Sequence, residues 1–161
     1  IGHDSFGAQL ARDVLRRLRA SQRVADYVAA LTLHHLRLGF LVHERPLSRR
    51  AIWRYLSATE PYAPDVTVFT VADRLATRGR NAEPAIAAHL EVARDVLGPA
   101  FARRAEKRRA PLVRGDELAA ALALEPGPRL GALLAALEEA RYAGEISTRE
   151  EAINLARSLL T

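Results

Sequence analysis

Five histidines (His3, His34, His35, His43 and His89) and one aspartate in the segment VADRLA, Asp73, are the residues of this chain best suited to chemistry. Neutral imidazole and carboxylate oxygens together suit a divalent first-row metal, and a set gathered from several helices could activate water for hydrolysis. His34 and His35 are adjacent, so on a helix they point about 100° apart. The apolar stripe Val24, Val28, Leu31, His35 selects His35 for the inner face. A single histidine on an apolar face also serves as a hydrogen-bonded core residue, and periodicity alone leaves both roles open.

The second chemical resource is positive charge. The formal net charge is +5, and Lys107 is the lysine among 24 basic residues; the others are arginine. Arginine binds phosphate in a planar, bidentate manner, and a basic excess favours a polyanionic partner. A GC-rich coding sequence would produce the same preference, because alanine and leucine are abundant too. The arginines gather in three groups: Arg16, Arg17, Arg19 and Arg23; Arg49, Arg50 and Arg54; and Arg103, Arg104, Lys107, Arg108 and Arg109. Each is either a solvated face or a phosphate-binding one. Trp53, Tyr55 and Tyr142 could stack on bases or pack in a core.

The elements that must position these groups read as helices. In residues 5–20, Phe6, Leu10, Val14 and Leu18 recur four apart on one face, with Arg12, Arg16 and Arg19 on the other. That pattern predicts an amphipathic helix. Ser21 can cap a second helix running to about Leu38 and closed by Gly39. A third begins at Ser48. A fourth, VTVFTVADRLATR, is capped by Asp65 and ended by Gly79; its β-branched content favours a strand, its length and continuation a helix. Pro84 suits the first turn of a helix reaching Gly98-Pro99, and a basic helical stretch continues toward Pro111. Short helices follow at 116–123, capped by Asp116, at 128–142, and at 149–160, the last with the capping box Thr148-x-x-Glu151. The expected fold is all-α, in three parts: 1–80, connecting helices at 81–110, and a small helical domain at 111–161.

With 161 residues and 49% hydrophobic composition, a packed core is expected. No apolar run approaches the ~20 residues of a membrane span, and cysteine is absent, which excludes disulfides and thiolate metal sites. No membrane partner and a cytoplasmic location are expected. Methionine is absent and the first residue is Ile1, so the chain is expected to be a piece of a longer protein.

The segment EPGPRLGALLAALEEARYAGEISTREEA, residues 125–152, is dense in helix punctuation. Pro128 presets a first helical turn, whose free amides and neighbouring Arg129 could meet a phosphate. The alternative is a rigid helix start packed on its neighbour, with Gly131 permitting close approach.

Several of these stretches in order resemble one family. GHDSFGAQLARDVLRRLRAS (2–21), VAALTLHHLRL (28–38) and VADRLATRG (71–79) are similar to the HD-type domain of tRNA nucleotidyltransferases (CCA-adding enzymes) and bacterial poly(A) polymerases. PLVRGDELAAALALEPGPRLGALLAALEEARYAGEISTREEAINLA (111–156) resembles the C-terminal region of the same family. The resemblance implies a helical HD-type domain, N-terminally incomplete, followed by a small C-terminal helical domain. It places His3, His35 (or His34) and Asp73 on metal-site positions. The adjacent His-Asp pair that anchors the family's metal should precede the Gly-His. His3-Asp4 could be read as that pair, but Ser5-Phe6-Gly7-Ala8 continues like the Gly-His helix instead.

The resemblance therefore implies a remnant site with no tightly bound cofactor. A divalent transition metal belongs there only if upstream ligands complete it. The Gly-Ser and Asp-x-Asp of the family's Mg²⁺-binding catalytic head are not present in these 161 residues. The reading that follows is a non-catalytic C-terminal part that binds tRNA or other RNA, through Arg103, Arg104, Lys107, Arg108, Arg109 and Arg129, for a head lying outside this chain. The alternatives are a metal-dependent HD phosphohydrolase and a helical interaction module whose basic faces only solubilise it.

Overall fold

Helical periodicity becomes helix along nearly all of the chain. The computed structural model describes residues 2–80, 82–105 and 110–160. Among them lie α1 (His3–Arg17), α2 (Gln22–His34), α3 (Arg37–Leu41), a 3-10 turn at Val42–Glu44, α4 (Arg49–Thr59), α5 (Ala63–Ala76), α6 (Ala82–Ala105), α7 (Gly115–Leu122), α8 (Pro128–Ala143) and α9 (Arg149–Ser158), with no strand. The fold is all-α. Two compact units form, residues 1–106 and residues 107–161.

Side-chain caps fix several helix starts. Ser48 Oγ accepts from the Ala51 amide at 3.0 Å, and Ser21 Oγ accepts from Val24 at 3.4 Å. At α9, Thr148 Oγ1 accepts from the Glu151 amide (3.2 Å), and the Glu151 carboxylate accepts from the amides of Thr148 (3.0 Å) and Ser147 (2.7 Å). Those amides hold the Glu151 carboxyl below its ordinary value.

Other boundaries differ from the sequence expectation. The second helix stops at His34, and Gly39 lies inside α3 rather than ending a longer helix. Residue 65 lies within the first turn of α5, which starts at Ala63-Pro64, so Asp65 is not its cap. Pro99 sits inside α6. It leaves the Asp95 carbonyl without its helical partner, yet the helix continues to Ala105. Likewise Asp116 lies in the first turn of α7, and the Arg114 amide donates to Glu117 (3.2 Å) at that entry.

The β-branched run in α5 is helical because its threonines bond backward. Thr67 Oγ1 donates to Ala63 O at 2.8 Å, and Thr70 Oγ1 to Val66 O at 2.9 Å. The first unit buries Leu38, Leu56, Val66, Val92 and Val96 completely. Tyr55 is buried among them. Its O–H lies 2.8 Å from Thr67 Oγ1. Since the Thr67 proton goes to Ala63, Tyr55 must donate, and burial pushes its phenol up to about 12.

Where α1 meets α2, small residues are buried and Arg12 Nε donates to Asp26 Oδ1 at 3.5 Å. Ala8, Ala25 and Ala29 are buried, and a Cβ on Gly7 would come within 3.1 Å of the Thr32 methyl. The large stripe of α1 faces outward instead. Phe6 is 72% exposed, Leu10 52%, Val14 43% and Leu18 71%. The expected amphipathic pattern is present, but its apolar face is not the one buried.

The second unit has its own core of Leu118, Leu130, Leu133, Leu137, Ile146 and Ile153, with Ala140, Ala152 and Ala156. Gly144 ends α8 in the left-handed conformation (φ 83°) that glycine adopts without steric cost. Around Gly131 an added Cβ would meet nothing within 4 Å, so close approach is not its role.

Replacing Tyr55 by Phe removes one buried hydrogen bond but leaves Thr67 satisfied, so a loss of ~1 kcal/mol is expected. Leu118→Ala opens a cavity in the second core and is expected to cost about 2–5 kcal/mol. Urea unfolding followed by circular dichroism measures both.

Candidate functional site

The first unit carries a groove of about 890 Å³ between the end of α2, α3, the 3-10 turn, α5 and α6. Its size lies within the ~300–1,000 Å³ range of small-molecule sites. His35, His43, His89, Asp73 and Arg74 line it, with the hydroxyl-bearing Thr70 and Thr77 and the apolar Leu36, Phe40 and Val42. Two imidazoles are held by backbone carbonyls. His35 Nδ1 lies 2.6 Å from Thr32 O, and His89 Nδ1 2.8 Å from Ala85 O. A carbonyl only accepts, so each Nδ1 carries the proton when the ring is neutral, and each Nε2 keeps its lone pair.

Thr70 ties the groove together. It is buried, and its single hydroxyl proton is shared between Val66 O and His35 O, the latter at 2.8 Å, joining α5 to the end of α2. The buried His89 approaches α3 at Gly39, where a Cβ would lie 3.2 Å from Nε2. Glycine is therefore what lets α3 and α6 close over that ring.

His3 and His35 come together, their ring centroids 5.7 Å apart in an edge-on arrangement. Asp4 is close by. Its carboxyl sits below the ordinary carboxylate value, chiefly through the Ser5 amide, with smaller contributions from His3 and His35. Asp73 lines the same groove as His35. Yet among the described residues no three His, Asp or Glu side chains converge as a metal would require. The residues present thus do not fit a complete metal centre, and no chemical step is assigned to one.

The neighbouring His34 has a different role. Its Nδ1 accepts from Arg37 Nε at 2.9 Å. Burial and then the Arg37 charge hold this imidazole below its ordinary value of 6.5. Sequence reasoning counted His43 and His89 without placing them at the groove. The Ala85–His89 spacing of four, which allows a ring-to-carbonyl bond along a helix, was the available signal.

The arginines divide. Arg103 lies 4.1 Å over the Trp53 ring and donates to Glu60 at 2.9 Å. Arg104 donates to Asp65 at 3.2 Å and stays largely exposed. In the first group, Arg16 pairs with Asp13 at 2.8 Å, while Arg17, Arg19 and Arg23 are exposed. Arg129 is exposed in the first turn of α8. Lys107, Arg108 and Arg109 lie outside the described residues.

Fold and site together define an all-helical, arginine-rich protein with an imidazole-lined groove. The chain belongs to the tRNA nucleotidyltransferase domain 2 family, whose pattern it matches over residues 5–156. It is 35% identical over 154 residues to a CC-adding tRNA nucleotidyltransferase of Thermus thermophilus, covering 94% of this chain and 32% of that protein. It is 34% identical over 152 residues to an A-adding tRNA nucleotidyltransferase of Deinococcus radiodurans, covering 94% of this chain and 33% of that protein. The chain thus spans about a third of the length of the curated relatives it matches. No solved structure matches it. Among the described residues no helix is long and apolar enough to cross a membrane.

His34 makes the α2–α3 junction sensitive to acid. Its folded-state value lies below the unfolded one of 6.5, so its contribution is complete above that pH and is lost as pH falls toward the lower folded value. Thermal midpoints should therefore drop on acidification below pH 6.5. His34→Gln, which cannot be protonated, should flatten that part of the profile.

Proposed function

We propose that this chain is the C-terminal, RNA-holding part of a tRNA nucleotidyltransferase, positioning tRNA while another part of the same protein adds nucleotides to the 3′ end. The observation that carries this reading is the family match over 5–156, joined to two relatives named for nucleotide addition to tRNA. The net charge of +5 supports it, because most protein contacts to a folded RNA go to phosphate and sugar.

Arg104, Lys107, Arg108, Arg109 and Arg129 are the proposed phosphate contacts. Arg103 belongs with them but is partly committed to Trp53 and Glu60. Arg103 packs the C-terminal end of α6 against Trp53 of α4. In this reading any Mg²⁺ requirement belongs to the nucleotide-adding part.

The second reading, a metal-dependent HD-type phosphohydrolase, draws on the approach of His3 to His35 and on the place of Asp73 in the same groove. It needs ligands beyond those that converge here. Equilibrium dialysis with Mn²⁺ or Ni²⁺ separates the two readings. Stoichiometric retention abolished by His35→Ala would put the second ahead.

Labelled tRNA titrated against the protein at increasing salt tests the first reading. Affinity should fall steeply as phosphate contacts release counterions. Combined Arg104→Ala, Arg108→Ala and Arg109→Ala substitution should weaken binding and make the salt slope shallower. Arg129→Ala alone should lose ~1 kcal/mol, the value of one charge-assisted contact. Unchanged binding in the triple variant would take that run off the RNA face, and no binding by the intact parent protein at ~50 mM salt would contradict the reading.

A further inference from the structure

The exposed side of α1 is built as a contact surface. Phe6, Leu10, Val14 and Leu18 form one continuous row at four-residue spacing, and each is exposed by 43% or more. Four large apolar residues in line are more than the scattered exposed hydrophobics normal for a protein surface. This first unit does not use them, because α1 packs on α2 through Ala8, Ala25, Ala29 and Gly7.

We propose that this row seats a helix from the polypeptide of the same protein that lies outside these 161 residues. Three observations favour that occupant. The matched relatives extend over about three times this length, so most of each lies outside the matched region. A row at four-residue spacing is the ridge that interlocks with the same ridge of another helix, crossing at about −50°. The row itself is apolar, with Arg17 and Arg19 exposed at its C-terminal end. An apolar helix with acidic residues at one end matches this pattern, whereas RNA contacts depend on cations and hydrogen-bond donors. The proposal rests on family membership, not on RNA binding, so the tRNA titration can fail without affecting it.

The test uses the intact protein encoded around these residues. A photocrosslinking amino acid replaces Leu10 or Leu18, with Arg16 on the polar side of α1 as the control position, and crosslinked peptides are identified by mass spectrometry. The expected products join residues 10 and 18 to a peptide outside residues 1–161, with none from position 16. As a second measurement, Leu10→Gln with Val14→Gln should lower the thermal midpoint of the intact protein and leave that of the 161-residue chain unchanged. Crosslinks to residues 107–161, crosslinks between two copies, equal yields at position 16, or no crosslinks would each overturn the proposal.

Discussion

Packing of small residues between α1 and α2 constrains much of the first unit. Ala8 against Ala25 and Ala29, with Gly7 over Thr32, lets the two helix axes approach closely. That approach brings His3 at the start of α1 beside His35 just past the end of α2. It also rotates the large residues of α1 outward. One interface therefore sets both the histidine pair and the apolar surface. A large side chain at position 8 or 29 would separate the helices and disturb both.

From His35 the arrangement passes into the groove through Thr70, whose hydroxyl reaches the His35 carbonyl from α5. Gly39 admits the ring of His89 from α6. The imidazoles of His35 and His89 are oriented by backbone carbonyls through Nδ1. Among the described residues no three His, Asp or Glu side chains converge in the groove.

Much of the fold was legible because helix signals here are local. Ser48, Thr148 and Glu151 act at the ends the sequence assigned to them. The run Val66–Val71 was ambiguous, and the deciding factor was threonine bonding to the preceding turn, a context that favours helix over strand. What escaped was tertiary. Periodicity identified an apolar stripe on α1 but not which face the rest of the unit would cover, since alanine packing competes with burial of larger residues. Pro99 suggested a helix end, yet α6 carries it. Asp65 and Asp116 suggested caps, but each helix begins two residues or one residue earlier. At the site, His3 and His35 were paired by family resemblance rather than by spacing, and the position of His89 needed three helices at once. The arginine runs could be seen, but the engagement of Arg103 with Trp53 and Glu60 could not.

The central proposal is that these 161 residues hold tRNA for chemistry performed by another part of the protein. Ultraviolet crosslinking of tRNA to the intact parent protein, followed by mapping of the modified peptides, tests it most directly. The account predicts crosslinked peptides around the C-terminal end of α6 and the start of α8, with loss of those crosslinks in competition with unlabelled tRNA. Crosslinks confined to regions outside these 161 residues, in a protein that still adds nucleotides to tRNA, would contradict it.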